Sequence, residues 1–196
     1  VIDGADVFLG LSGPNVLTPE MVAKMTAQPI IFALANPTPE IQPDAARAVA
    51  PDAIIATGRS DVPNQVNNVL CFPFIFRGAL DVGATQINDA MQIACVDAIA
   101  ELACASTSAE AAAAYQGEQM TFGPDYLIPK PFDPRLSGVI ASAVARAAME
   151  TGVATRVLDD IEAYKAELDA SVFKSALLMR PVFESARLAP RKIVFA

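Results

Sequence analysis

Asn36 stands in the string Ala35-Asn36-Pro37-Thr38, and Asn67 and Asn68 close the string Pro63-Asn64-Gln65-Val66-Asn67-Asn68. A neutral amide offers a donor and an acceptor in one group, so it can orient a polar ligand without adding charge. Asparagines at a helix start also lie beside free backbone N–H groups and the positive end of the helix dipole. That arrangement suits a carboxylate. A third string, Gly10-Leu11-Ser12-Gly13, has glycines that let a ligand approach the backbone. Each string also has a plain structural reading: Asn36-Pro37 and Ser12-Gly13-Pro14 are turn sequences, and Asn67 or Asn68 is a helix cap. On a helix, adjacent Asn67 and Asn68 are about 100° apart and play different roles.

Other polar groups carry weaker signals. Arg59 and Arg77 could bind an anion, but a solitary arginine is more often a solvated surface charge. Asp81, Asp89 and Asp97 recur every eight residues and read as one helix edge facing water. Lys130 lies between two prolines and reads as an exposed loop lysine with no base partner. Histidine is absent, which excludes histidine bases, Ser-His-Asp triads and His-ligated zinc within these residues. The three cysteines, Cys71, Cys95 and Cys104, form no C-x-x-C and are odd in number. They read as small buried apolar residues in a reducing cytosol.

These strings need elements to position them. Residues 6–11, 30–34 and 53–58 are apolar runs of strand length. The middle one is continuously apolar, as in a strand buried on both faces. Thr18-Pro19-Glu20 starts a helix with Thr as cap and Pro at the first position, and Pro29 ends it. A short helix is expected over 43–49. Strand, helix, strand, helix, strand predicts a parallel sheet with crossover helices. The three segments that follow these strands, Gly10-Leu11-Ser12-Gly13, Ala35-Asn36-Pro37-Thr38 and Thr57-Gly58-Arg59-Ser60-Asp61, then emerge at the carboxyl edge, where ligands of open α/β sheets bind. Further on, 66–80 reads as an apolar helix with Pro73 a kink or break. Helices are also expected over 88–103, 135–150 and 158–178, with an irregular stretch over 123–129. Residues 106–114 read as a helix continuation or a mobile connection, and 190–196 as strand-like.

The chain has 196 residues, enough for one domain or for one domain with a helical extension. Its 14 basic and 22 acidic residues give a net charge of −8, which argues against a nucleic-acid or anionic-membrane surface. No apolar run reaches the ~18 residues of a membrane span, and no signal peptide is visible. Alanine supplies 37 residues, a usage that suits helices packed closely on a sheet. No G-x-G-x-x-G fingerprint occurs. Both ends read as cut, so a longer enzyme is expected around this segment.

Taken together, residues 4–21, 29–41, 55–81 and 126–136 resemble the malic enzymes, specifically the large bacterial type. The most specific string runs from Ile55-Ala56-Thr57-Gly58-Arg59-Ser60-Asp61 through Asn67-Asn68 to Phe76-Arg77-Gly78-Ala79-Leu80-Asp81. Val62 departs from the pattern, which has an aromatic residue there. The resemblance implies an α/β fold: part of a doubly wound, Rossmann-like parallel sheet followed by a C-terminal helical extension. It implies that 1–82 is the C-terminal part of an NAD(P)-binding domain and that 83–190 is its helical continuation. Residues 191–196 would start a phosphotransacetylase-like domain.

The implied reaction is oxidative decarboxylation of L-malate to pyruvate and CO2, with NADP or NAD and with Mg2+ or Mn2+. Asn36 and Asn68 match substrate-binding asparagines. Leu11, Ser12, Asn36 and Asn67 match the cofactor-lining positions. The family's catalytic lysine and tyrosine, its acidic metal ligands and its glycine fingerprint all match nothing here and belong upstream, in a malic domain. No catalytic residue and no metal ligand is therefore expected in these 196 residues, and alone they should be inactive. A cytoplasmic homo-oligomer is implied, with no nucleic-acid or membrane partner. Two other readings are a non-catalytic dimerisation or scaffold segment and another Rossmann-type dehydrogenase. The Asn36 and Asn67-Asn68 strings argue against the last.

Overall fold

The structure, a computed structural model, describes residues 1–105 and 121–188. The stretch 106–114, read from sequence as a helix continuation or connection, and the strand-like 190–196 lie outside the described residues. The chain divides into two compact units, Val1–Pro73 with Val96–Asp133, and Phe74–Cys95 with Pro134–Ala196.

The first unit is built on three parallel strands, β1 (Val7–Gly10), β2 (Ile30–Ala33) and β3 (Ile54–Thr57), in that order across the sheet. The register runs Val7↔Ile30↔Ile54 to Gly10↔Ala33↔Thr57. The crossovers contain α1 (Pro19–Val22) and α2 (Pro43–Val49), which pack on each other. Thr18 caps α1, its hydroxyl accepting the Met21 N–H at 3.4 Å, and prolines open both helices. One sheet face carries Ile31, Ala33 and Ile55, which join Leu17, Val22, Met25 and Ala46 in a buried core.

Two expectations change here. The first helix stops at Val22 rather than running to Pro29. Past Val22 the backbone is committed elsewhere: the Lys24 carbonyl accepts the Gly4 N–H at 2.8 Å, and the Thr26 N–H donates to Ala5. Nor is β2 buried on both faces, since Ile30 and Phe32 are only half-buried on the face opposite the core. On that face β1 presents Val7 and Leu9, 52% and 58% exposed.

The expected helix over 66–80 is two elements. A single 3-10 turn covers Asn68–Leu70, the chain turns at Cys71, and α3 (Phe72–Asp81) starts afresh with Pro73 in its first turn. The second unit takes in most of α3, the start of α4 (Asp89–Cys104), α5 (Leu136–Glu150) and α6 (Ile161–Leu188). Asn88 caps α4, accepting the Met91 N–H at 3.0 Å. Leu136, Ile140, Ala141, Val144, Ala145 and Ala148 are buried along α5, which packs on α6. Small residues set the spacing. A Cβ on Gly78 of α3 would fall 2.4 Å from the Ala141 carbonyl oxygen of α5.

Asp81, Asp89 and Asp97 do not share one helix edge, because Asp81 belongs to α3 and the other two to α4. Asp81 instead pairs with Arg77 at 2.5 Å and accepts a hydrogen bond from Tyr164. Of the three cysteines read as buried, Cys95 is, whereas Cys71 is half-buried and Cys104 exposed.

Candidate functional site

Parallel pairing sends the segments after β1, β2 and β3 out at one edge. The segment after β3 turns back and pairs again. The Val66 N–H donates to the Thr57 carbonyl at 2.8 Å, and the Thr57 N–H donates to Asn64 at 3.3 Å. This makes a parallel bridge between Thr57 and Gln65. Ala33, Thr57 and Gln65 thus form one row across the sheet end. Asn36 lies three residues beyond the first of these. Asn67 and Asn68 lie two and three residues beyond the last. With strands about 4.8 Å apart, the two row ends are roughly 10 Å apart.

Leu11, Ser12, Asn36 and Asn68 are all exposed at this edge, and Asn67 is half-buried. The Asn36-Pro37 peptide bond is cis. Asn67 and Asn68 do not share a helix. Asn67 has extended backbone angles and caps the 3-10 turn, its side-chain oxygen accepting the Val69 N–H at 3.1 Å. Asn68 is the first residue inside the turn. The cap therefore falls to Asn67, not to Asn68.

Two residues that the sequence reading passes over organise this edge. Glu40 is fully buried, and its carboxylate accepts the Ser12 N–H and the Ala35 N–H, each at 3.0 Å. Burial pushes this carboxyl up. The N–H groups of Ala35, Ser12 and Glu40 itself outweigh burial and hold it below its ordinary value. Asn64, also buried, binds the end of β3 to the turn over 123–127. Only the Asn-Pro-Thr-Pro-Glu spacing could have pointed to Glu40, since an acidic loop residue ordinarily reads as surface charge.

The two arginines are committed. Arg59 bonds Asp61 and Gln42, and its hydrogen bonds hold the Asp61 carboxyl below the usual range. Arg77 pairs with Asp81. Lys130 is half-buried, not a free loop lysine, and lines a cavity of about 600 Å³ with Ser60, Asp61, Val62, Pro63 and Tyr126. None of Leu11, Ser12, Asn36, Asn67 and Asn68 lines that cavity. Among the described residues no group of three or more His, Cys, Asp or Glu side chains is placed to hold a metal ion. No helix among them is long and apolar enough to cross a membrane.

Residues 4–115, more than half of the chain, match the family model described as malic enzyme, NAD binding domain. The NADP-dependent malic enzyme of Escherichia coli is 63% identical over 194 residues, which are 99% of this chain and 26% of that protein. The NAD-dependent malic enzyme of Rhizobium meliloti is 60% identical over 196 residues, again 26% of its length. The crystal structure of malic enzyme from Pyrococcus horikoshii superposes with a TM-score of 0.76 at 37% identity, covering 95% of this chain and 39% of that one. The malic enzyme of Entamoeba histolytica gives a TM-score of 0.75 at 36% identity, covering 96% and 36%. The chain thus spans about a quarter of the length of the curated relatives it matches.

Proposed function

Because this chain belongs to the malic enzyme family, through the family's NAD-binding domain, we propose that it is the cofactor-side part of an enzyme that oxidatively decarboxylates L-malate to pyruvate and CO2. The observation that carries this reading is the row Ala33–Thr57–Gln65, which delivers the Asn36 loop and the Asn67–Asn68 turn to one sheet edge. The exposed amides of Asn36 and Asn68 would hold a dicarboxylate from two sides without competing for metal charge. Leu11 and Ser12 line the same edge and would face the cofactor. In Asn67 the cap occupies the side-chain oxygen, leaving the amide nitrogen to donate toward the cofactor. Bound NAD(P)+ supplies the hydride acceptor.

Among the described residues no cluster fits a divalent ion, so Mg2+ or Mn2+ would be held by another part of the enzyme, with the general acid and base. Relatives named for NADP and for NAD are nearly equally similar to this chain. That fits a coenzyme choice made elsewhere, at the ribose-reading strand. In the domain layout we infer, 1–82 completes the cofactor domain, 83–190 is its helical continuation and 191–196 leads into a phosphotransacetylase-like domain. A malic domain would precede them, in a cytosolic homo-oligomer. The test is Asn36→Ala in the full-length enzyme, assayed by NAD(P)+ reduction with malate and Mn2+. A fall in kcat/KM for malate of at least about tenfold is expected, the worth of a hydrogen bond to a charged group. Unchanged kinetics would reject Asn36 as a ligand of the reacting pair.

A further inference from the structure

Glu40 stands four residues beyond Asn36, with a side chain fully removed from solvent. Its Oε1 accepts the Ser12 N–H and its Oε2 the Ala35 N–H, both at 3.0 Å. Its main chain joins the same two loops, since the Glu40 carbonyl accepts the Leu17 N–H at 3.1 Å and the Pro39 carbonyl accepts the Asn15 N–H at 3.2 Å. No lysine or arginine pairs with it among the described residues. A buried carboxylate is costly, and here only peptide N–H groups meet its charge. The strand beneath makes room for it. A Cβ on Gly10 would fall 2.4 Å from Glu40 Cδ, so β1 ends in the one residue type that admits the carboxylate.

We propose, on the strength of the reading given above, that Glu40 is a positioning residue that sets the spacing between the cofactor-lining loop at Ser12 and the substrate-binding loop at Asn36. It touches neither ligand. Its two oxygens hold one N–H from each loop, and Ala35 is the immediate neighbour of Asn36. Glutamine keeps the size but supplies one acceptor and one donor, so one of the two N–H groups then faces N–H. The loops lose their common anchor, and a displacement of about 1 Å at a reacting pair costs on the order of 100-fold in rate.

The test is a double-mutant cycle in the full-length enzyme, read as kcat/KM for malate well below the melting temperature. Glu40→Gln alone should lower it by about 10- to 100-fold. Asn36→Ala should lower it at least about tenfold in the wild-type background but less than about threefold in the Glu40→Gln background, because an Asn36 already out of place has little left to lose. A Glu40 that only stabilises the fold would lower the melting temperature and leave the Asn36→Ala effect at full size. Multiplicative effects of that kind overturn the proposal while leaving Asn36 as a ligand. If Asn36→Ala alone changes nothing, the site reading fails and the proposal falls with it. Should Glu40→Gln not fold, Gly10→Ala takes its place in the cycle. It keeps the carboxylate and both donors but pushes the carboxyl group aside, and the same shrinkage of the Asn36→Ala effect is expected.

Discussion

The side-chain oxygen of Asn64 accepts the backbone N–H of Leu127 at 2.8 Å. Its nitrogen donates to the carbonyls of Ile55 at 3.0 Å and Pro124 at 2.7 Å. The backbone at Asn64 is left-handed, with φ of 56°. Asn64→Ala removes three hydrogen bonds of a buried side chain and leaves an alanine in a conformation it resists, so a loss of about 3 kcal/mol or more is expected. Asn64→Gly loses the same bonds without the strain and should retain about 1 kcal/mol more. Urea midpoints of the full-length enzyme read both. Equal midpoints for wild type and the alanine variant would contradict this account.

Asn67 and Asn68 should separate stability from catalysis. Asn67→Ala loses the cap on Val69 and should destabilise by about 1 kcal/mol. Asn68 is exposed and caps nothing, so Asn68→Ala should change stability by no more than about 0.5 kcal/mol. Its effect should instead be a roughly 10- to 150-fold fall in kcat/KM for malate, as for a lost charge-assisted hydrogen bond. Paired thermal melts and steady-state kinetics decide. A falling melting temperature with intact malate kinetics in Asn68→Ala would make it a structural residue.

Tyr164 links stability to alkaline pH. Burial, then its 2.7 Å hydrogen bond to Asp81, raises the phenol above its ordinary 10.0. A raised value means that the folded state keeps a proton the unfolded chain releases. The contribution is complete below about pH 10 and is lost as pH climbs toward the folded-state value. Tyr164→Phe should cost about 1.5 kcal/mol at neutral pH, at the low end for a charged acceptor because Asp81 is partly exposed. It should also flatten the fall in stability above pH 10. Melting curves from pH 8 to 11 test the sign, and parallel curves for the two proteins would remove Tyr164 as the cause.

Local signals were legible where one residue decides one element. Pro43 marks the start of α2, and the apolar runs 30–34 and 53–58 mark β2 and β3 to within a residue or so. The carboxyl-edge placement of the loops that carry Leu11, Ser12 and Asn36 followed from the parallel strand pattern alone. What stayed hidden depends on partners distant in sequence. Glu40 is a core residue only because Ser12, 28 positions earlier, brings its N–H to it. Asn64 drew no role of its own from the string Pro63–Asn68, because its partners Pro124 and Leu127 lie some sixty residues on. The break at Cys71 was masked by apolar residues on both sides, which keep a helical pattern through a turn that is not α-helical.

The half-covered sheet face has a practical consequence for anyone producing this segment by itself. Val7 and Leu9 project from β1, which pairs with β2 on one side and, among the described residues, with no strand on the other. Four residues of ordered backbone with an apolar fringe form a template onto which another extended chain can add. Made in isolation, the segment should self-associate in proportion to its concentration, and light scattering should rise steeply with protein load. Lysine at Val7 and Leu9 should suppress this, because charge on a bare strand edge discourages a second strand from docking.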